Sequence, residues 1–77
     1  MNMLPTKTFD ATLQGVRKLP FNSQNGNPRY QVFFNKGAPV YTEPDAQINY
    51  GVTNYIGQLV RVTLNEHGNI IRIGTME

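Results

Sequence analysis

Apolar and polar side chains alternate one for one between residues 8 and 14. Phe9, Ala11 and Leu13 fall on one side, and Thr8, Asp10, Thr12 and Gln14 on the other. Successive side chains of a β-strand point to opposite faces, so this period of two predicts a strand with one face covered and one wet. The same rule recurs along the chain. Tyr30, Val32 and Phe34 alternate with Arg29, Gln31, Phe33 and Asn35 in a second predicted strand over 29–35. A third, short strand is expected at Val40, Tyr41 and Thr42, after a proline that suits an edge. Val60, Val62 and Leu64 alternate with Leu59, Arg61 and Thr63 in a fourth over 58–64. Ile71 and Ile73 make a fifth, with Arg72 facing away and Ile70 on the face of Arg72. Turn formers separate the strands: a polar loop over 20–28 containing Asn25-Gly26, a tight Lys36-Gly37 connection, and a hairpin turn over 65–69. At Gly15 the alternation slips phase, so the first strand is expected to bulge or bend there and run on to about Leu19.

One segment departs from this rhythm. Thr42-Glu43-Pro44-Asp45 has the composition of a helix start, with Thr42 as cap, Pro44 in the first turn and two acids at the positive end. Ile48, Val52 and Tyr55 follow at i, i+4 and i+7, and Ala46 and Tyr50 form a second i, i+4 pair. The spacing predicts a helix of two to three turns, weakened by Gly51 and closed by Gly57.

Three strands, a helix and two strands, with a bend in the first strand, resemble the oligonucleotide- and oligosaccharide-binding (OB) fold, a partly open five-stranded barrel. The expected class is therefore mainly β, an OB-like barrel with one short helix between strands 3 and 4. An SH3-like barrel is the structural alternative. The OB resemblance implies that Ile48, Val52 and Tyr55 plug the barrel against Phe9, Leu13, Val32, Val60 and Ile71. Two stretches, 25–30 (Asn-Gly-Asn-Pro-Arg-Tyr) and 45–51 (Asp-Ala-Gln-Ile-Asn-Tyr-Gly), resemble segments of small uncharacterised proteins encoded by actinobacterial phages and mobile elements. That resemblance implies a cytoplasmic accessory protein of an infected host cell and implies no activity.

A chain of 77 residues is one domain, here 1–77 with 1–7 expected to fray. Such a chain buries only about 60–65% of the surface exposed when unfolded, which leaves little room for an enclosed active site. Cysteine is absent, which excludes disulfides and thiolate zinc sites and tilts the reading toward a reducing compartment. No apolar run exceeds the three residues Val32, Phe33 and Phe34, so no membrane-spanning helix is expected. The one histidine, His67, lies in a turn beside Glu66, two groups where a metal site needs three or four. The acids Asp10, Glu43, Asp45, Glu66 and Glu77 make no catalytic set in sequence, and phosphate-loop and dinucleotide glycine patterns are missing. The reading is a non-enzymatic module with no cofactor and no metal.

Cations and aromatics carry the functional expectation. The net charge is only +2, yet Arg17, Lys18, Arg29, Arg61 and Arg72 are interleaved with outward Phe33 and Tyr41 and with Phe21 in the long loop. Rings stack bases and cations pair with phosphates, the mixture that single-stranded DNA or RNA requires. Those eight residues are the candidate nucleic-acid site. Outward Phe33, Tyr41, Leu59 and Ile70 equally fit a protein-interaction module, for a host protein or another copy of the chain, because a large exposed apolar patch marks an interface.

Overall fold

The computed structural model describes residues 6–76. Its strands are β1 (Lys7–Lys18), β2 (Tyr30–Phe34), β3 (Val40–Tyr41), β4 (Leu59–Leu64) and β5 (Ile70–Thr75). They form one antiparallel sheet in the order β3-β2-β1-β4-β5. Residues 1–5 of the expected fraying lead-in lie outside the described residues. Lys7 already pairs with Leu64 at the start of β1.

β1 is central because it serves two partners in turn. Its first half pairs with β4 from Lys7 to Thr12, and its second half pairs with β2 from Leu13 to Lys18. The change-over is at Leu13, whose N–H donates to Gln58 O at 3.0 Å while the Asn35 N–H donates to Thr12 O at 3.0 Å. Gln14 is the additional residue of a bulge there, since Leu13 faces Phe34 and Gly15 faces Phe33. The bulge restores the phase that the sequence loses at Gly15, so Leu13 and Val16 both point inward. Two wings result, β4–β5 and β2–β3, joined along one bent strand.

The inner face holds the core: Ala11, Leu13, Val32, Phe34, Val52, Val60, Val62, Ile70 and Ile73 are buried. Phe9 packs edge-to-face on Phe34 with ring centroids 5.2 Å apart, the arrangement aromatic quadrupoles favour. Burying each large aliphatic side chain stabilises the fold by about 1.5–3 kcal/mol.

The fifth strand differs from its expected facing. Thr63 pairs with Arg72 and Leu64 with Ile70, so Ile71 is the additional residue of a second bulge. Ile70 is fully buried, whereas Ile71 and Arg72 are exposed. Two inward isoleucines three positions apart break strict alternation, and only the bulge allows it.

The expected helix is two successive 3-10 turns, Gln47–Tyr50 and Val52–Tyr55, interrupted at Gly51. Ala46, Asn49, Val52 and Tyr55 recur every three residues, and all are partly or wholly buried, which is the period of a 3-10 helix rather than an α-helix. The side chain of buried Asn49 donates to Glu43 O at 2.9 Å and Ala46 O at 3.0 Å, competing with regular helical bonding. Val52 is nevertheless in the core, with Ile48 and Tyr55 packed against it.

The helix-start roles of Thr42, Glu43 and Asp45 are also corrected. Thr42 is buried and forms an isolated parallel bridge with Ile70. The Glu43 N–H donates to Ile70 O at 2.8 Å. This is where the two outer strands of the sheet approach, and among the described residues no continuous ladder closes the sheet into a barrel. The Glu43 carboxylate instead accepts from Asn65 Nδ2 at 2.8 Å and Asn69 Nδ2 at 3.0 Å, fastening the β4–β5 turn. Asp45, at φ 66°, fastens the β1–β2 loop. Its carboxylate accepts from Ser23 Oγ, from Asn25 Nδ2 at 2.8 Å and from Asn27 Nδ2 at 2.7 Å. Tyr50 completes this cage by donating its hydroxyl to Asn27 Oδ1.

Candidate functional site

Cross-strand register decides which outward side chains meet. On the β2–β3 wing Arg17 faces Gln31, and Gln31 faces Tyr41, so these three form one row across β1, β2 and β3. Phe33 lies two residues along β2, facing Gly15, on the same solvent side. Tyr41 is 42% exposed and Phe33 half-buried. The Arg17 guanidinium donates through Nε to Gln31 Oε1 at 3.2 Å. Its charge is held by a neutral amide, and among the described residues no carboxylate pairs with it.

Phe21 and Lys18 lie beyond this row: Lys18 pairs with Tyr30 at the end of β1, on the opposite face from Arg17, and Phe21 is in the β1–β2 loop. Phe21 is 79% exposed and, with Leu19, Pro20, Arg29 and Pro44, lines a cleft of about 410 Å³. Lys18 donates through Nζ to Asn22 Oδ1 at 3.1 Å and Leu19 O at 3.4 Å, which holds the ammonium at the loop base. The Asp45 cage gives the loop a fixed shape. The donors on Ser23, Asn27 and Asn25 hold the Asp45 carboxyl below its ordinary value of 3.8, so it is ionised at neutral pH.

Three predicted cations do other work or stand elsewhere. Arg29 is half-buried and donates through Nε and Nη2 to Thr42 O at 3.1 and 2.8 Å, bracing β3. On the β4–β5 wing Arg61 faces Asp10 and forms a two-pronged ion pair, Nε–Oδ1 at 2.9 Å and Nη2–Oδ2 at 3.2 Å. The Arg61 hydrogen bond depresses the Asp10 carboxyl below its ordinary range, and Asp10 in turn raises Arg61. Arg72 is exposed on the same outward face as Arg61, facing Thr63, a diagonal step away.

The eight candidates therefore divide. Arg17, Phe33, Tyr41 and, at the loop, Phe21 and Lys18 lie on one side of the bend. Arg61 and Arg72 lie on the other wing, and Arg29 is structural. Gln31, which joins Arg17 to Tyr41, is not among the residues predicted from sequence. Its one signal is its place in the outward set of the second strand, but an amide carries neither the charge nor the ring that marks out its neighbours. Of the outward apolar residues, Ile70 is withdrawn into the core and Leu59 is 53% exposed.

Among the described residues no three His, Asp or Glu side chains gather where they would hold a metal ion. No described helix is long and apolar enough to cross a membrane. Comparison of the chain with protein-family models, curated proteins and solved structures gives no match.

Proposed function

We propose that this chain is a non-enzymatic module that binds single-stranded nucleic acid on the outward face of β1, β2 and β3. The observation that carries the reading is the row Arg17–Gln31–Tyr41 with Phe33 beside it, a cation, an amide and two rings on one solvent-facing surface. The groups divide the work of recognition. Rings stack bases, the amide hydrogen-bonds base edges, and Arg17 meets a phosphate. Phe21 and Lys18 extend the path over the fixed loop. In this reading the sheet is an OB-like barrel. That is supported by a bent β1 with partners on both sides, by the parallel approach of Thr42 to Ile70, and by the 3-10 segment that carries Val52 into the core. The cytoplasm of a phage-infected cell is the setting in keeping with the sequence resemblance.

Fluorescence anisotropy with labelled oligothymidine and oligouridine tests the reading. Binding at low salt is expected, with a log–log salt slope of about −1 to −2, because only two or three uncompensated cations lie in the row or beyond it. Absence of binding at low salt defeats it.

A protein partner, from the host or as a second copy, is the second reading. It is favoured by exposed Ile56 and Leu59, which lie away from the aromatic row. Leu59→Asp and light scattering separate the two: loss of self-association or of host-protein capture in that variant, with nucleic-acid binding absent from the parent, supports it.

A further inference from the structure

Gly26, Gly37, Gly57 and Gly68 hold φ between 74° and 87°, a region that disfavours any side chain. Gly15 has no such reason to be glycine. Its φ is not positive, and a Cβ placed on it would meet no atom within 4 Å. A glycine inside a strand is also the less stable choice, because it packs nothing and orders more backbone. Gly15 faces Phe33 across the β1–β2 pair. Aromatic rings opposite strand glycines can fold over them and recover the lost packing. The 4 Å clearance rules that out here: the Phe33 ring does not lie over Gly15, and the ground beside it is open to solvent.

We propose that Gly15 is the entry position of the stacking face: the side chain it lacks leaves free the space beside Phe33 that a nucleobase stacked on that ring must occupy. The inference rests on the nucleic-acid reading and adds to it the residue that admits the base. It also predicts opposite signs for stability and binding at one position. A β-branched residue suits a strand better than glycine, yet its methyl groups would stand where the base enters. Gly74 is the internal control. It too lies on the outward face, without positive φ and with nothing within 4 Å of a Cβ, but it faces Arg61, whose guanidinium turns to Asp10.

The test compares Gly15→Val and Gly74→Val with the parent by anisotropy on labelled oligothymidine, alongside thermal melts. Gly15→Val is expected to weaken binding by about tenfold or more, the worth of one stacked base, with a Tm equal to or above the parent's. Gly74→Val is expected to leave affinity within about twofold, since it approaches no ring. Should valine at position 15 lower the Tm, Gly15→Ala serves instead, with an expected loss of about threefold. Undiminished binding by a folded position-15 variant, where the parent binds, overturns the role of Gly15 and leaves the nucleic-acid reading standing. A parent that binds no oligonucleotide at low salt overturns both.

Discussion

The two wings of the sheet present the same kind of outward residue in opposite electrostatic states. On the β4–β5 wing Arg61 stands opposite Asp10, and the pair neutralises itself across two hydrogen bonds. On the β2–β3 wing Arg17 stands opposite Gln31, an amide that orients the guanidinium without cancelling its charge. Phe33 and Tyr41 lie on the wing of Arg17, whereas on the β4–β5 wing the second outward cation, Arg72, faces Thr63. Counting cations on a small basic domain is thus a poor guide to where an anion binds. What matters is which cation has a carboxylate facing it across the ladder.

The greatest change is expected in the strand that joins the wings. Leu13 is fully buried at the change-over from β4 to β2. Leu13→Ala should destabilise the domain by about 3 kcal/mol, measured by urea unfolding. That is a large share of the roughly 4–12 kcal/mol expected for 77 residues. Loss of one wing's amide dispersion with the other retained would show that the wings fold separately, contrary to a shared core.

Next in size is the aromatic contrast. The double variant Phe33→Ala/Tyr41→Ala should weaken oligonucleotide binding by about a hundredfold or more, given roughly 1–3 kcal/mol per stacked base. Leu59→Ala, on the other wing, should change it little. Equal losses would show that binding does not respect the bend.

The cations extend the contrast between the wings. Arg17→Ala should lower affinity severalfold and make the salt slope shallower by about 0.7, the share of one phosphate contact to a single strand. Arg61→Ala should leave the slope unchanged. Asp10→Ala, which releases Arg61 on the other wing, away from the row, should leave it unchanged as well. A steeper dependence on Arg61 than on Arg17 in anisotropy titrations would reverse the assignment of the wings.

The least of these effects concerns the loop. Asp45 is depressed below 3.8 chiefly by the Ser23, Asn27 and Asn25 donors, and Glu43 below 4.5 by Asn69 and Asn65. A carboxyl whose folded value lies below its unfolded value stabilises the fold above the unfolded value. It loses that contribution as pH falls through the folded one. Lowering the pH from about 5 through these ordinary carboxyl values should therefore loosen the 20–28 loop and the 65–69 turn while the β1–β4 ladder persists, seen as lower amide protection factors at Ser23–Asn27 once intrinsic exchange rates are divided out. An unchanged loop at acid pH would mean the cage contributes nothing to its order.

Much of the architecture is written in local pattern. Alternation places the inward residues of β1, β2 and β4 because a strand has a period of two whatever it pairs with, and the slip at Gly15 marks the bulge. The inward Ile70 is not legible, since its bulge depends on how β5 registers against Leu64 and Thr63. The 3-10 turns are hidden because Ile48, Val52 and Tyr55 mimic an α-helical face, while buried Asn49, set by its bonds to Glu43 O and Ala46 O, imposes the shorter period.

At the candidate site, alternation turns Arg17, Gln31, Phe33 and Tyr41 outward, as strand geometry requires, whereas at Ile70 the bulge overrides it. Their partners are settled only when the sheet assembles. Asp10 and Arg61 are 51 residues apart, and the three donors to Asp45 lie 18 to 22 residues from it. Hydrogen bonds and ion pairs act over a few ångströms, so whether a charge is cancelled depends on strand register, a property of the folded sheet and not of any one segment.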